Sequence, residues 1–292
     1  MIPVGLSLAP DVVYLDLLHD VIRDEAEYYE VAPETLWRRS AQGSLEPNGF
    51  HRAFRELAEE QRRPFVAHGV GLSIGGLAAR DDARRATWLE RIRADHDVFH
   101  FAWYTDHLGA SAPAGLAMTL PLPVPMTDAS VAQARRALGE LQRIVPDVGV
   151  ENSVFYYHLG DPLDEPAFLR RIVDAPGHHL LLDLHNVYTT AQNAGWDPRA
   201  YLARLPLERV IEIHLSGGSE SPAAWLSSGR SLRLDSHDHA VPEPVWTLFD
   251  EVWPRCPNLR GVTLERMEDT VTVPEVAVIR DELRRARKAL GR

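Results

Sequence analysis

Seven short apolar runs in this sequence each end in ionisable or amide side chains. In order these are Glu30, His68, Asp106 with His107, Glu151 with Asn152, Asp183 followed by His185 and Asn186, His214, and Glu265. A further dense group, Asp235-Ser236-His237-Asp238-His239, follows the His214 run. Imidazole mixed with carboxylate suits iron, manganese or zinc, whereas calcium and magnesium take mostly oxygen donors. The single cysteine, Cys256, leaves no thiolate cluster and no internal disulfide, so any metal is held by nitrogen and oxygen. Four imidazoles (His68, His107, His214, His237) and four or five carboxylates exceed what one ion can use. Two or three ions, bridged by a carboxylate such as Glu151, fit the count. Taken singly, a histidine at such a position is more often a hydrogen-bonded packing residue, and a carboxylate a helix cap or ion-pair partner. Gathered into one funnel, these groups would be costly to desolvate, and bound cations remove that cost.

The elements that must position these groups follow from the patterning. Eight strand-like runs, rich in β-branched, aromatic and leucine residues, span Val4 to Ala9, Tyr28 to Val31, Phe65 to Gly69, Phe99 to Thr105, Gly149 to Asn152, His179 to Leu184, Arg209 to Leu215, and Gly261 to Arg266. Between them lie stretches with helical periodicity: Phe50 to Arg62, Asp82 to Asp95, Ser130 to Ile144, Pro166 to Val173, Pro198 to Leu205, and Pro242 to Val252, with Val273 to Leu290 as a final covering helix. Alternating strands and helices suit either a doubly wound open sheet or a barrel. Eight repeats without a second compositional domain favour a TIM-type (β/α)8 barrel over residues 1–292. In such a barrel the chemistry collects where strands end and βα loops begin, which is where the polar residues fall. Pro121-Leu122-Pro123-Val124-Pro125 reads as an enlarged loop after the fourth strand, because the βα rhythm resumes beyond it.

Bulk properties narrow the function classes. Among 292 residues, 31 Lys+Arg stand against 42 Asp+Glu, a net charge of -11. That balance argues against non-specific binding to nucleic acid or to anionic membranes, which need a basic face. No stretch approaches the roughly 18 apolar residues of a membrane span, and Met1-Ile2-Pro3-Val4-Gly5 lacks the pattern of a secretory signal, so the expected location is the cytoplasm.

The residues in this order resemble a family first catalogued as a domain of unknown function and now described as multinuclear non-haem iron-dependent oxidative enzymes, with members in methanobactin and thiaglutamate biosynthesis. The matching stretches are Val4-Gly5-Leu6-Ser7, Tyr29 to Glu34, His68 to Ser73, Thr105 to Leu108, Glu151-Asn152, Leu181-Leu182-Asp183 with Asn186-Val187-Tyr188, Ile213 to Gly217, Asp235-Ser236-His237, and Thr263 to Arg266. The resemblance implies a xylose isomerase-like barrel that holds two or three iron ions, uses dioxygen as co-substrate and oxidises a cysteine of a ribosomally made precursor peptide, often delivered by a separate partner protein. It implies His68, His107, Glu151, Asp183, His214, Asp235, His237 and Glu265 as metal ligands. Asn152 and Asn186 match polar positions near the metals, and Glu30 and Asp106 stand as ligands or as groups that orient histidines. His185 departs from the pattern, which carries Asn there, and has three open roles: added ligand, orienting donor or proton relay.

The alternative function is a divalent-metal barrel of the sugar isomerase or endonuclease type, with the same donors holding zinc or manganese for proton transfer or hydrolysis. A third is a catalytically silent barrel that binds a peptide or partner. Gly69-Val70-Gly71 through Gly75-Gly76 is not a dinucleotide loop: it lacks G-x-G-x-x-G and follows the third run, so it reads as a metal-site loop. No H-E-x-x-H or Walker loop occurs. Cys256, in Trp-Pro-Arg-Cys-Pro-Asn, reads as a buried or loop residue and not as the substrate.

Overall fold

The computed structural model describes residues 1–76, 81–111, 121–157 and 159–292. Among them, the strands are β1 (Val4–Ser7), β2 (Tyr29–Val31), β3 (Trp37–Arg39), β4 (Leu45–Pro47), β5 (Phe65–Gly69), β6 (Tyr104–His107), β7 (Val148–Glu151), β8 (His178–Asp183), β9 (Val210–Leu215) and β10 (Gly261–Leu264). Eight of them follow the closed order β1-β10-β9-β8-β7-β6-β5-β2, the expected (β/α)8 barrel. Strands of such barrels have no wet face, which is why they read as near-continuous apolar runs. All six residues of β9 are buried, as are all four of β7 and of β10.

The helices are α1 (Val12–Leu17), α2 (Gly49–Gln61), α3 (Asp82–Phe99), α4 (Asp128–Leu141), α5 (Glu165–Val173), α6 (Leu184–Ala194), α7 (Pro198–Leu202), α8 (Glu243–Val252) and α9 (Val273–Ala289). Side-chain oxygens close several of their N-termini: Asp11 accepts from Tyr14 N–H, Asn48 from Phe50 and His51 N–H, Thr127 from Ser130 N–H, and Asp183 from Asn186 N–H. No helix of the described residues is long and apolar enough to cross a membrane.

Contacts gather the chain into two compact units. The first comprises Met1–Glu27, Asn152–Tyr156 and Leu181–Arg292. In it, β1 pairs with β10 and β10 with β9, which sets Thr263 beside His214. Helix α9 is tied down by Arg284 and Arg287, which bind Glu25 at 2.8 and 3.0 Å, and by the buried Arg266–Glu282 pair at 2.8 Å. The second unit comprises Tyr28–Glu151 and Tyr157–Leu180. Here the parallel pairs β2–β5, β5–β6 and β6–β7 put His68 beside Thr105 and His107 beside Glu151. Its aromatic core includes Tyr29 on Phe65 and Phe65 on Phe99, with ring centroids 5.2 Å apart in both pairs.

Local departures from the sequence reading have physical causes. Phe99 was expected to open the fourth barrel strand, but it is the last residue of α3, and His100 ends that helix in the left-handed conformation (φ 52°). The aromatic run from Phe99 to Tyr104 carries strand propensity, yet Phe99 and Phe101 satisfy it by stacking on each other, and the strand begins at Tyr104. Leu184 was expected to end the sixth strand, but it begins α6 because the Asp183 carboxylate caps the new helix. The antiparallel pair β3–β4 was not foreseen. Two strands of three residues carry too little periodicity to register.

Candidate functional site

In the second unit, His68 and His107 close β5 and β6 on adjacent strands, and their rings lie 4.7 Å apart with a 34° tilt. His107 Nδ1 donates to the Gly69 carbonyl at 3.1 Å, and His68 Nδ1 lies 2.9 Å from Thr105 Oγ1. A carbonyl only accepts, so His107 holds its proton on Nδ1 and a neutral ring presents a lone pair at Nε2. Thr105 in turn donates towards the Ala67 carbonyl, so it accepts from His68, which fixes the same tautomer. Both Nε2 atoms converge on one carboxylate oxygen, Glu151 Oε2, at 3.0 Å from His107 and 3.4 Å from His68. Two imidazole lone pairs and a carboxylate oxygen at one point are the donor set of a cation.

Around this set the loop after β5 is braced. Glu34 Oε1 accepts from the N–H groups of Val70 and Gly71, both at 2.7 Å, and Arg84 donates to the Gly71 carbonyl at 2.7 Å. Asp106 is fully buried against Gly69, where an added Cβ would come within 2.3 Å of its Oδ2. Burial and the nearby Glu34 charge push the Asp106 carboxyl well above the usual range.

In the first unit, Asp183, His237 and Glu265 offer ligand atoms that all lie within 4.8 Å of one another. His214 Nδ1 is 2.9 Å from Glu265 Oε2, and His237 Nε2 is 2.7 Å from Asp235 Oδ1. His237 adopts the left-handed region (φ 51°), which aims its ring back at Asp235, two residues before it. Burial alone would lower the His237 pKa, but the Asp235 and Glu265 carboxylates outweigh it and push the imidazole up to about 10. Asp235 is held well below the usual carboxylate range: burial opposes this, and the charge and hydrogen bond of His237, with the nearby His185 ring, overcome it. Asp183, His237 and Glu265 are donors of a type that can hold a divalent cation.

The other residues singled out by sequence have different roles. Asn152 pairs with the backbone of Asp183: its Nδ2 donates to the Asp183 carbonyl at 2.9 Å, and its Oδ1 accepts the Asp183 N–H at 3.0 Å. Asn186 Nδ2 donates to the Asn152 carbonyl at 3.1 Å. Both amides therefore fix the position of Asp183. Glu30 is buried in β2. Four further residues support the site. Glu34 and Thr105 lie in stretches that carry the family resemblance, but their residue types alone assign neither a role. Tyr156, 45% exposed, accepts the Asp235 N–H on its hydroxyl at 3.0 Å. Glu212 was detectable: it is two residues before His214 and so on the same strand face, and it accepts a 2.5 Å hydrogen bond from Thr263. Cys256 is buried as expected, and burial pushes its thiol up to about 12.

The closed parallel barrel has the fold of xylose isomerase-like TIM barrels. Solved structures bear out the fold: a xylose isomerase domain-containing protein from Salmonella typhimurium has a TM-score of 0.62 at 15% identity, covering 99% of this chain and 97% of that one. A xylose isomerase-like TIM barrel protein from Mycobacterium smegmatis, solved with magnesium, has a TM-score of 0.60 at 13% identity, covering 99% and 98%. Sequence places the chain more narrowly. Residues 3–291 match the model for the RiPP precursor modification enzymes MbnB/TglH/ChrH, and the chain belongs to that enzyme family. Among curated relatives, a UPF0276 protein of Pseudomonas aeruginosa is 34% identical over 270 residues, covering 91% of this chain and 86% of its own length. One from Caulobacter vibrioides is 32% identical over 237 residues, 80% of each.

Proposed function

We propose that this protein is a non-haem iron enzyme that uses dioxygen to oxidise a cysteine of a ribosomally made precursor peptide in the cytoplasm, the peptide being presented by a separate partner protein. The observation that carries this reading is the Asp183–His237–Glu265 cluster, whose imidazole and carboxylate ligand atoms all lie within 4.8 Å of one another with no cysteine among them. In this reading His68, His107 and Glu151 form one donor set, and Asp183, His214, Asp235, His237 and Glu265 the other, for two or three irons in all. Ferrous iron in such shells supplies open positions for dioxygen and for a substrate thiolate.

The chain's own residues do the rest. The Gly69 carbonyl and Thr105 keep the His107 and His68 lone pairs on Nε2, aimed at Glu151. Asn152 and Asn186 clamp Asp183 so that its carboxylate both caps α6 and faces His237. Cys256 is 4% exposed with a raised pKa, so it is neither accessible nor ionised and does not compete with a substrate cysteine. Membership of a family named for modifying precursor peptides supports the substrate class. The test is metal analysis with Mössbauer spectroscopy on protein expressed with iron-57 and purified without air. Two or three irons per chain, with spectra that change on exposure to dioxygen, are expected. Stoichiometric zinc or manganese that resists replacement by iron would move the assignment to an isomerase or hydrolase.

A further inference from the structure

His185 stands in the first turn of α6, fully buried, two residues after Asp183. Its surroundings choose among the roles that the sequence leaves open. An N–H of the Arg233 guanidinium is directed at His185 Nε2 at 3.5 Å, and Thr189 Oγ1, one turn further along α6, lies 3.3 Å from the same nitrogen. On the other side of the ring, Nδ1 lies 3.4 Å from Asp235 Oδ1, a charge contact without hydrogen-bond geometry. A guanidinium has donors and no acceptor, so the ring nitrogen it addresses must offer a lone pair. The neutral imidazole then carries its proton on Nδ1, facing Asp235.

Arg233 is itself held in place. Its guanidinium lies over the Tyr188 ring, 5.0 Å from the centroid. Its backbone N–H donates to Asn193 Oδ1 at 2.8 Å, and its carbonyl accepts from Asn193 Nδ2 at 2.9 Å. The Asn193 side chain thus pairs with Arg233 as a neighbouring strand would, and Arg230 adds a bond to the Asn193 carbonyl at 3.0 Å. Tyr188 and Asn193 both belong to α6, and Asp235 follows Arg233 by two residues. Helix α6 therefore grips the loop just before the Asp235–His237 pair.

Building on the metal-centre reading, we propose that His185 is a positioning residue and not a metal ligand: its Nδ1–H orients the Asp235 carboxylate, and Arg233, latched to α6 by Asn193, holds it in that tautomer. A ring that carries its proton on Nδ1 and accepts at Nε2 has no lone pair left for a cation. Orienting groups of this kind are worth about 10- to 100-fold in metal affinity.

The test uses the full chain loaded with cobalt(II), read by its visible ligand-field bands, by bound cobalt per chain, and by competition with a chelator. His185→Asn keeps an N–H donor near the position of Nδ1 and has no ring nitrogen. It is expected to retain the wild-type bands, stoichiometry and affinity. His185→Ala and Arg233→Met are expected to keep the stoichiometry at saturating cobalt but to bind about 10- to 100-fold more weakly. Rescue by Asn and not by Ala separates orientation from mere packing. Loss of a bound cobalt in His185→Asn, or a band shift of the kind that follows loss of a nitrogen ligand, would make His185 a ligand and overturn the inference while leaving the metal reading intact. A wild-type chain that takes up neither cobalt nor iron would overturn both.

Discussion

Gly218→Ala tests whether the loop carrying Asp235 and His237 is positioned by close backbone packing. A Cβ at Gly218 would lie 2.1 Å from the Leu234 carbonyl oxygen and 2.9 Å from His185 Cε1. Carbon–oxygen contacts in proteins are roughly 3.3 Å or longer, so the Leu234 backbone must retreat by about 1 Å. It cannot do so freely, because the Leu234 N–H donates to the Ser219 carbonyl at 2.8 Å and Asp235 is the next residue. Overpacking of this kind costs about 1–3 kcal/mol, and a strained or lost hydrogen bond adds about 1 kcal/mol, so the metal-free protein should lose about 2–4 kcal/mol. The same displacement moves Asp235, and metal bound per chain should fall. Urea unfolding followed by circular dichroism, with metal analysis of the purified variant, reads both effects. Gly139→Ala is the control: Gly139 lies inside α4 with nothing within 4 Å of an added Cβ, so there the substitution should stabilise by about 0.5–1 kcal/mol. Wild-type stability and full metal content in Gly218→Ala would refute the packing argument.

Replacing His107 or Glu151 by Ala removes one of the partners that converge at Glu151 Oε2, and each variant should lose bound metal while keeping its far-ultraviolet spectrum; full metal content in both would defeat that donor set. Arg266→Met should cost about 3–5 kcal/mol in denaturant unfolding, because it strands the buried Glu282 carboxylate, whereas Arg266→Met combined with Glu282→Met should recover much of the loss. Glu25 resists protonation: burial would raise its pKa, but the hydrogen bonds and charges of Arg287 and Arg284 win and lower it. A lowered folded-state pKa gives stability that is present above the unfolded value of about 4.3 and is lost as pH falls through the folded value. Thermal melts from pH 7 to 3 should therefore show a steeper acid loss in wild type than in Glu25→Gln, and parallel curves would contradict the pairing.

Much of the fold was legible because a barrel strand writes itself locally. Val210–Leu215 and His178–Asp183 are apolar almost throughout, and the polar group at the end of each stands out against that background. Where the reading slipped, a local signal met a stronger neighbour. Phe99 has strand propensity but finishes a helix against Phe65, and Leu184 continues an apolar run but follows a carboxylate that caps a helix. The β3–β4 pair and the Glu34 brace were invisible because each depends on a partner distant in sequence, as in the reach of Glu34 to Val70 and Gly71.

The sequence by itself determined the donor chemistry: imidazole and carboxylate at successive strand ends, with a single cysteine that excludes a thiolate cluster. It also determined the class of fold, since eight apolar runs separated by amphipathic helices bury their faces best as a parallel barrel. Only the tertiary structure decided which donors meet. Strand register brings His107 against Glu151, the left-handed backbone at His237 turns its ring onto Asp235, and Asn152 holds the Asp183 backbone while Asn186 holds the Asn152 carbonyl. The physical reason is that side-chain type and period-two alternation are properties of neighbouring residues, whereas the distance between two donors on different strands is set by ladder register and loop conformation, which no short window of sequence contains.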